Sequence, residues 1–163
     1  MMKSVLQYFL IILVFLGLSW WQSRNMLNTN ESPAPYFNLS TLQNPAARIT
    51  LKALQGKQTI VYFFAPWCHI CRYSMPNLEK LYVQGEINAI AIALNYDNQD
   101  EVNAFANSLS LTMPILLGTE TTANDYRVTA FPSYYVINER LKITAKSVGY
   151  SSEVGLRIRN RLQ

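Results

Sequence analysis

The feature that most constrains this chain is the pair Cys68 and Cys71, its only cysteines, which are separated by two residues. They follow an apolar run at 59–65 that is rich in β-branched and aromatic residues and has the length of a strand. Such a run predicts a buried strand. After Cys71, apolar residues recur at helical spacing as far as residue 83. The pair is therefore predicted to lie where a buried strand turns into a helix.

This position favours thiol chemistry. The first N–H groups of a helix lack partners and carry partial positive charge, so they stabilise a thiolate placed there. Cys71 follows Cys68 by about one helical turn, which is close enough for a disulfide. The residues thus predict reversible dithiol–disulfide exchange, in which Cys68 attacks and Cys71, the more buried thiol, resolves the mixed disulfide.

Other uses of two cysteines fit less well. Covalent haem attachment requires a histidine directly after the second cysteine, where this chain has Arg72. A structural zinc site requires four ligands, and the chain offers two cysteines and one histidine, His69. A two-thiolate copper(I) site and an inert structural disulfide remain alternatives, although so short a loop constrains the unfolded chain little. Redox exchange is favoured because it explains the position as well as the spacing.

The N-terminal residues 1–21 are predicted to be a single-pass signal anchor. The segment is almost wholly apolar from Val5 onward, has Lys3 before the run and ends on Trp20 and Trp21. A cleaved signal peptide is the alternative, but no small-x-small cleavage site follows. The positive N-terminus would stay in the cytoplasm, and the remaining chain would lie outside it. Residues 22–35, polar and containing two prolines, are predicted to be a linker, and residues 36–163 a single folded domain.

The rest of the chain predicts an α/β domain. Strands are expected at 87–94, 114–117, 128–137 and 142–148, and helices at 97–109, at 121–126 and after Ser151 or Ser152. This order predicts a central mixed sheet flanked by helices. The net charge of +4 is modest, and no Lys/Arg block is interleaved with aromatic residues. A nucleic-acid surface is therefore not expected.

Three motifs together resemble the thioredoxin fold: Ala65-Pro-Trp-Cys-His-Ile-Cys71, Pro76 in the following helix, and Val128-Thr-Ala-Phe-Pro132. More narrowly, the chain resembles the membrane-anchored, TlpA-like thiol–disulfide oxidoreductases of bacteria, whose Ala-Pro-x-Phe-x-Leu entry is matched at residues 34–39. The resemblance covers residues 34–163. It implies a thioredoxin fold preceded by a transmembrane helix. It also implies electron exchange with protein disulfides, with the Cys68–Cys71 disulfide as the only redox group and no bound cofactor or metal.

The resemblance also implies site residues. Pro132 is expected to be cis and to face the cysteines, so that Phe131 presents its backbone to an extended substrate. Trp67 would shield the disulfide and contact the substrate, and a protonated His69 would favour the thiolate. The alternatives are a strand-edge proline without contact to the site, simple packing for Trp67, and an exposed His69 with little influence.

Two positions depart from the family pattern and leave the redox direction open. Tyr62 stands where thioredoxins have a buried aspartate, and Ser74 where several reducing TlpA-like proteins have a glutamate. No proton relay is therefore predicted. The family implies reductive work on extracytoplasmic thiols at the bacterial inner membrane, for example in cytochrome c maturation, with electrons from an integral membrane thiol reductase. A disulfide oxidase or isomerase, or a copper(I)-handling protein, is the alternative.

Overall fold

The structure, a computed structural model, describes residues 7, 8, 17 and 25–161. Within 25–161 the strands are β1 Ser32–Pro33, β2 Asn38–Ser40, β3 Arg48–Thr50, β4 Thr59–Phe64, β5 Asn88–Ala93, β6 Ile115–Leu117, β7 Ser133–Ile137 and β8 Lys142–Val148. The helices are α1 His69–Val83, α2 Gln99–Ser108, α3 Glu120–Asp125 and α4 Glu153–Arg161, with a 3-10 turn at Leu51–Leu54.

Six strands form one mixed sheet in the order β1-β8-β7-β4-β5-β6. Strands β4, β5 and β6 are parallel, whereas β7, β8 and β1 join antiparallel. Strand β4 lies in the middle, and all six of its residues are buried, as expected for a continuous apolar run covered on both sides. Strands β2 and β3 pair separately. The predicted α/β fold with a mixed central sheet flanked by helices is confirmed.

Alternation along β4 divides the core into two layers. Tyr62 and Phe64 point to the side covered by α1, α2 and α4, which we call the α1 face. Val61 and Phe63 point to the side covered by α3, the 3-10 turn and the segment before β2, which we call the opposite face. The residue order of one strand thus sets which side chains lie beneath the CxxC helix.

The segment before β2 rests on the opposite face of the sheet. Met26 and Ala34 are buried, and β1 pairs with β8 at the sheet edge. The Lys146 ammonium donates hydrogen bonds to the backbone oxygens of Met26 (3.4 Å) and Leu27 (3.2 Å). Residues 26–34, part of the segment predicted as a linker, are therefore packed onto the domain.

The predicted anchor at 1–21 lies outside the described residues, apart from positions 7, 8 and 17. Among the helices that are described, none combines the length and the apolar character needed to cross a membrane.

Two element boundaries differ from the sequence-based expectation. The strand predicted from residue 128 begins only at Ser133, because Pro132 has no N–H with which to join a ladder. Helix α1 begins at His69, inside the CxxC motif, rather than after Cys71. The second difference places both cysteines on the first turn of the helix.

Candidate active site

The CxxC motif is held by the junction between β4 and α1. Strand β4 ends at Phe64, and Cys68 is the N-cap of α1, with φ −75° and ψ 106°. The Cys68 backbone N–H donates to the Ala65 carbonyl oxygen (3.0 Å), which closes the connecting turn. The Cys68 sulfur accepts a hydrogen bond from the Cys71 backbone N–H (3.1 Å). The side chain of Cys68 therefore takes the capping role that an oxygen usually fills.

Cys68 and Cys71 form a disulfide in this structure, with their Cα atoms 5.3 Å apart. The two sulfurs differ in access, since Cys68 is 5% exposed and Cys71 is completely buried. After reduction, a Cys68 thiolate would keep the same N–H donor and the positive end of the helix dipole, both of which favour the charged form. Of the two cysteines, only Cys68 keeps any exposure, so an incoming sulfur is expected to meet Cys68 first.

Trp67 directly precedes Cys68 and is strongly exposed, at 62%. Its indole N–H donates to the Asn95 carbonyl oxygen (2.9 Å), and its ring meets Phe131 edge-on with 5.8 Å between centroids. Asn95 itself has φ +49°, a left-handed conformation that asparagine tolerates better than most residues. The ring is thus oriented by a backbone carbonyl from the loop after β5.

The Phe131–Pro132 peptide bond is cis. Pro132 is buried and precedes Ser133, whose Cα pairs with that of Phe63, so Pro132 lies level with the carboxyl end of β4 and the start of the CxxC turn. Its carbonyl accepts from Gly149 N–H (2.7 Å). Within residues 25–161, neither backbone polar group of Phe131 takes part in a backbone hydrogen bond. The resemblance predicted the cis bond, and the structure has it.

His69 is the first residue of α1 and is exposed beside Cys68. It forms no hydrogen bond or ion pair with any described residue, so the structure gives it proximity to the thiol and no fixed orientation.

Tyr62 and Ser74 lie beneath the disulfide in the core of the α1 face, and both are completely buried. Burial raises the pKa of Tyr62 above its ordinary value of 10, and the neighbouring Ser74 hydroxyl offsets this only in part. The two hydroxyls interact but form no hydrogen bond of good geometry, and Ser74 accepts from Ser151 N–H (3.1 Å) instead. The site therefore has neutral hydroxyls where the family pattern places carboxylates.

Some residues around the site were not found from the sequence. Asn95 lies in the loop after a buried strand. Its position in the sequence predicts a turn, but nothing in the sequence predicts its contact with Trp67. Glu79 reads as an ordinary helix residue, yet its buried carboxylate accepts from the backbone N–H groups of Thr112 (2.8 Å) and Met113 (3.2 Å). It joins the CxxC helix to the segment that leads into β6.

A mixed sheet, a CxxC disulfide at a helix N-terminus and an adjacent cis-proline together define the class of thioredoxin-like thiol–disulfide oxidoreductases. The sequence pattern of the AhpC/TSA family matches residues 31–146, and the chain belongs to that family.

Individual relatives agree with this assignment. The chain is 30% identical over 150 residues to the thioredoxin-like protein YneN of Bacillus subtilis, covering 86% of this chain and 87% of that protein. It is 33% identical over 147 residues to the thiol:disulfide interchange protein DsbE of Pseudomonas aeruginosa, covering 86% and 79%. A thioredoxin-family thiol:disulfide interchange protein from Chlorobium tepidum superposes with a TM-score of 0.72 at 22% identity, covering 83% and 97%. The resemblance drawn from the motifs is confirmed, and the chain is a thiol–disulfide oxidoreductase.

Proposed function

We propose that this protein is a membrane-anchored thiol–disulfide reductase that acts on protein disulfides outside the cytoplasm, as in cytochrome c maturation or the maintenance of periplasmic thiols. The observation that carries the mechanism is the unequal burial of the two cysteines, with Cys68 5% exposed and Cys71, one turn further along α1, completely buried. The reducing direction rests on the family resemblance, and the anchor rests on the apolar run in residues 1–21.

The proposed reaction starts from the reduced protein. The Cys68 thiolate attacks one sulfur of a client disulfide, which forms a mixed disulfide and releases the client's other sulfur as a thiolate. The Cys71 thiol then loses its proton and attacks the Cys68 sulfur, which releases the second client sulfur. The client gains two electrons and two protons, and the protein is left with the Cys68–Cys71 disulfide. An integral membrane thiol reductase would return two electrons to it.

The neighbouring residues have proposed roles in binding the client. The unpaired backbone groups of Phe131 are suited to pair with an extended client segment by strand addition, with Pro132 fixing their position beside Cys68. Trp67 offers an apolar surface next to the reacting sulfur. His69, when protonated, adds positive charge close to the Cys68 thiolate.

We also propose that residues 1–21 are an uncleaved anchor in the bacterial inner membrane, with the domain on the periplasmic side. Because residues 26–34 already pack on the sheet, only a few residues would separate the domain from the bilayer. Extraction of membranes with alkaline carbonate should leave the protein in the pellet at its full-length mass. Release of a shorter form would indicate a cleaved signal peptide.

The Cys71→Ala variant tests the order of attack. It should accumulate mixed disulfides through Cys68 in cells, because the resolving thiol is missing, whereas Cys68→Ala should form none. Absence of adducts from Cys71→Ala would contradict the mechanism.

The redox direction is tested by the reduction potential of the Cys68–Cys71 couple, equilibrated against dithiothreitol or glutathione. A value near about −270 mV fits a reductase, and one near about −120 mV would make the protein a disulfide donor.

A further inference from the structure

A groove of about 510 Å³ is lined by Trp67 and Arg72, the two residues that flank the CxxC motif in the chain. One wall is Trp67 itself, and the other is formed by the first turns of α2 and the loop that precedes them. Its apolar surface comes from Phe105 and Ala104, and its polar groups are Arg72, Asp97 and Glu101. The mechanism described above does not use this groove.

Arg72 is held in place on one side of the groove. Its guanidinium lies over the Phe105 ring, 4.9 Å from the centroid, and donates to the Ser108 hydroxyl (3.0 Å). It forms no ion pair with either carboxylate. The positive charge is thus directed along α2 rather than toward the acidic end of the groove.

Asp97 and Glu101 form that acidic end. Asp97 is exposed and Glu101 is half-buried, and the Glu101 carboxylate accepts from the Asp97 backbone N–H (3.2 Å), which fixes the two side by side. Across residues 25–161, no lysine or arginine nitrogen lies within 4.0 Å of either carboxylate. Two negative charges therefore stand without a cation at the mouth of a partly apolar groove.

The groove is lined by Trp67, the residue directly before Cys68. A client chain joined to the Cys68 sulfur that passes over the exposed indole would therefore enter the groove. An extended chain advances about 3.3 Å per residue, so crossing the ring takes about two to four residues. A client side chain at that distance from the reacting cysteine would lie near Phe105 and the two carboxylates.

We propose that this groove binds a basic side chain of the client, lysine or arginine, a few residues from the client's reacting cysteine. The methylene stem would pack on Ala104 and Phe105, and the charged end would meet Asp97 and Glu101, as long basic side chains commonly do on mixed surfaces. The inference rests on the proposed function, since it names the client that this site selects. Charge complementarity of this kind acts mainly on association and specificity.

The Asp97 and Glu101 carboxylates also stabilise helix α2. They lie near the N-terminus of α2, where negative charge is favourable whatever the client. Asp100 lies in that first turn too, is exposed and does not line the groove. It is therefore a matched control, because neutralising it removes a helix-stabilising charge without changing the groove.

The experiment uses the full-length, reduced protein in a mild non-ionic detergent. The substrates are extended peptides with one cysteine bonded to glutathione, in which lysine, glutamine or glutamate occupies a single position from four residues before the cysteine to four after it. The reduced protein is kept in excess over the peptide, so that each molecule reacts at most once, and kcat/KM for peptide reduction is obtained from this single turnover by acid quench and mass spectrometry. We compare the wild type, the double variant Asp97→Asn/Glu101→Gln and the control Asp100→Asn.

At the best position, the wild type should prefer lysine over glutamine by about threefold to tenfold, and the preference should shrink in high salt. The double variant should bring the ratio to about one, whereas Asp100→Asn should keep it. Because each variant is judged by its own lysine-to-glutamine ratio, a general change in activity cancels.

Equal kcat/KM for all peptides, or the same lysine preference in the double variant, would overturn the inference and leave the proposed function intact. If the wild type reduces none of these peptides and no other protein disulfide, the proposed function itself fails. The two failures are thereby distinguishable.

Discussion

The two faces of the sheet use buried tyrosines differently. On the opposite face, the Tyr126 hydroxyl donates to the Pro35 carbonyl (2.8 Å), and the Tyr135 hydroxyl donates to the Tyr126 carbonyl (2.7 Å) while accepting from Leu27 N–H (3.1 Å). On the α1 face, the equally buried Tyr62 hydroxyl forms no hydrogen bond of good geometry with any described residue. The Tyr126–Tyr135 pair ties the N-terminal segment to the domain, whereas Tyr62 contributes little besides its ring.

This difference shows which buried tyrosine hydroxyls belong to a polar network that binds the N-terminal segment, since on the α1 face the Tyr134 hydroxyl accepts only from Arg159 (3.2 Å) and that of Tyr62 has no partner. A buried hydroxyl with partners stabilises its neighbours, and one without them carries a desolvation cost. The opposite face needs the network because it has no long helix, and two side-chain hydroxyls bind a segment that has few backbone partners. The α1 face packs three helices, and the buried Tyr62 and Ser151 hydroxyls have no hydrogen-bond partner among the described residues.

The largest effect is expected for Tyr135→Phe. Removal of this hydroxyl leaves the Tyr126 carbonyl and Leu27 N–H without their partner, which should lower the free energy of unfolding by about 2–4 kcal/mol. Urea unfolding measures it, and Tyr62→Phe is the matched control, with an expected change within about 1 kcal/mol. Equal losses in the two variants would remove the contrast between the faces.

A smaller loss is expected for Glu79→Gln on the α1 face. The amide keeps the shape of the side chain but turns one acceptor into a donor that faces the N–H groups of Thr112 and Met113. The free energy of unfolding should fall by about 1–2 kcal/mol. Urea unfolding again provides the measurement, and Lys80→Gln, exposed on the same helix, should change stability by less than about 0.5 kcal/mol. A neutral Glu79→Gln would show that the α1 face does not depend on this carboxylate.

Two substitutions of Asn95 test whether this position needs a residue that tolerates a left-handed backbone or needs the asparagine side chain itself. Because its φ is +49°, Asn95→Ala should destabilise the protein by about 1 kcal/mol, whereas Asn95→Gly keeps both the conformation and the carbonyl that binds Trp67. Thermal unfolding of the two variants measures the difference. If the alanine variant is as stable as the glycine variant, the left-handed conformation does not constrain this loop.

The smallest effects belong to one exposed ion pair on each face. Lys142 lowers the pKa of Glu31 from its ordinary value of 4.5, chiefly by a hydrogen bond, and Arg157 does the same for Glu86. A folded-state pKa below the unfolded value gives stability that is complete above about pH 4.5 and is lost as the pH falls through the folded-state pKa. Double-mutant cycles with Glu31→Gln and Lys142→Met, and with Glu86→Gln and Arg157→Met, should show coupling at pH 7 that shrinks in high salt and as the pH is lowered through the folded-state pKa of each carboxyl group. Coupling that is the same in low and high salt would mean that the ion pairs are not its source.

Some secondary-structure elements were predictable from the local sequence pattern, and others were not. The run 59–65, the helical spacing after Cys71 and the strand at 87–94 are strong periodic signals, and each appears as β4, α1 and β5. The motif Phe131-Pro132 was assigned to the site through resemblance, and in the structure the Phe131 ring lies 5.8 Å from that of Trp67, while the next residue, Ser133, pairs with Phe63 near the end of β4. Strand β1 carries no such signal, because a two-residue strand containing a proline has no pattern of its own and exists only through its pairing with β8.

Asn95, Glu79 and the groove of Asp97 and Glu101 depend on contacts between segments far apart in the chain. Trp67 and Asn95 are 28 residues apart, and Glu79 and Thr112 are 33 apart. Hydrophobic periodicity within one segment does not predict such contacts, because these long-range hydrogen bonds depend on how the helices pack against the sheet.

By itself, the sequence determined the reacting pair, the strand and helix that hold it, and the α/β class, because these follow from spacing and periodicity along one stretch of chain. The sequence also predicted that Cys71 is the more buried thiol, whereas only the tertiary structure decided what orients Trp67. It also decided that Met26 packs against the opposite face of the sheet and that an acidic groove lies next to the CxxC motif. The physical reason is that burial and long-range hydrogen bonding arise only when β4, α1, α2 and the loop after β5 pack together.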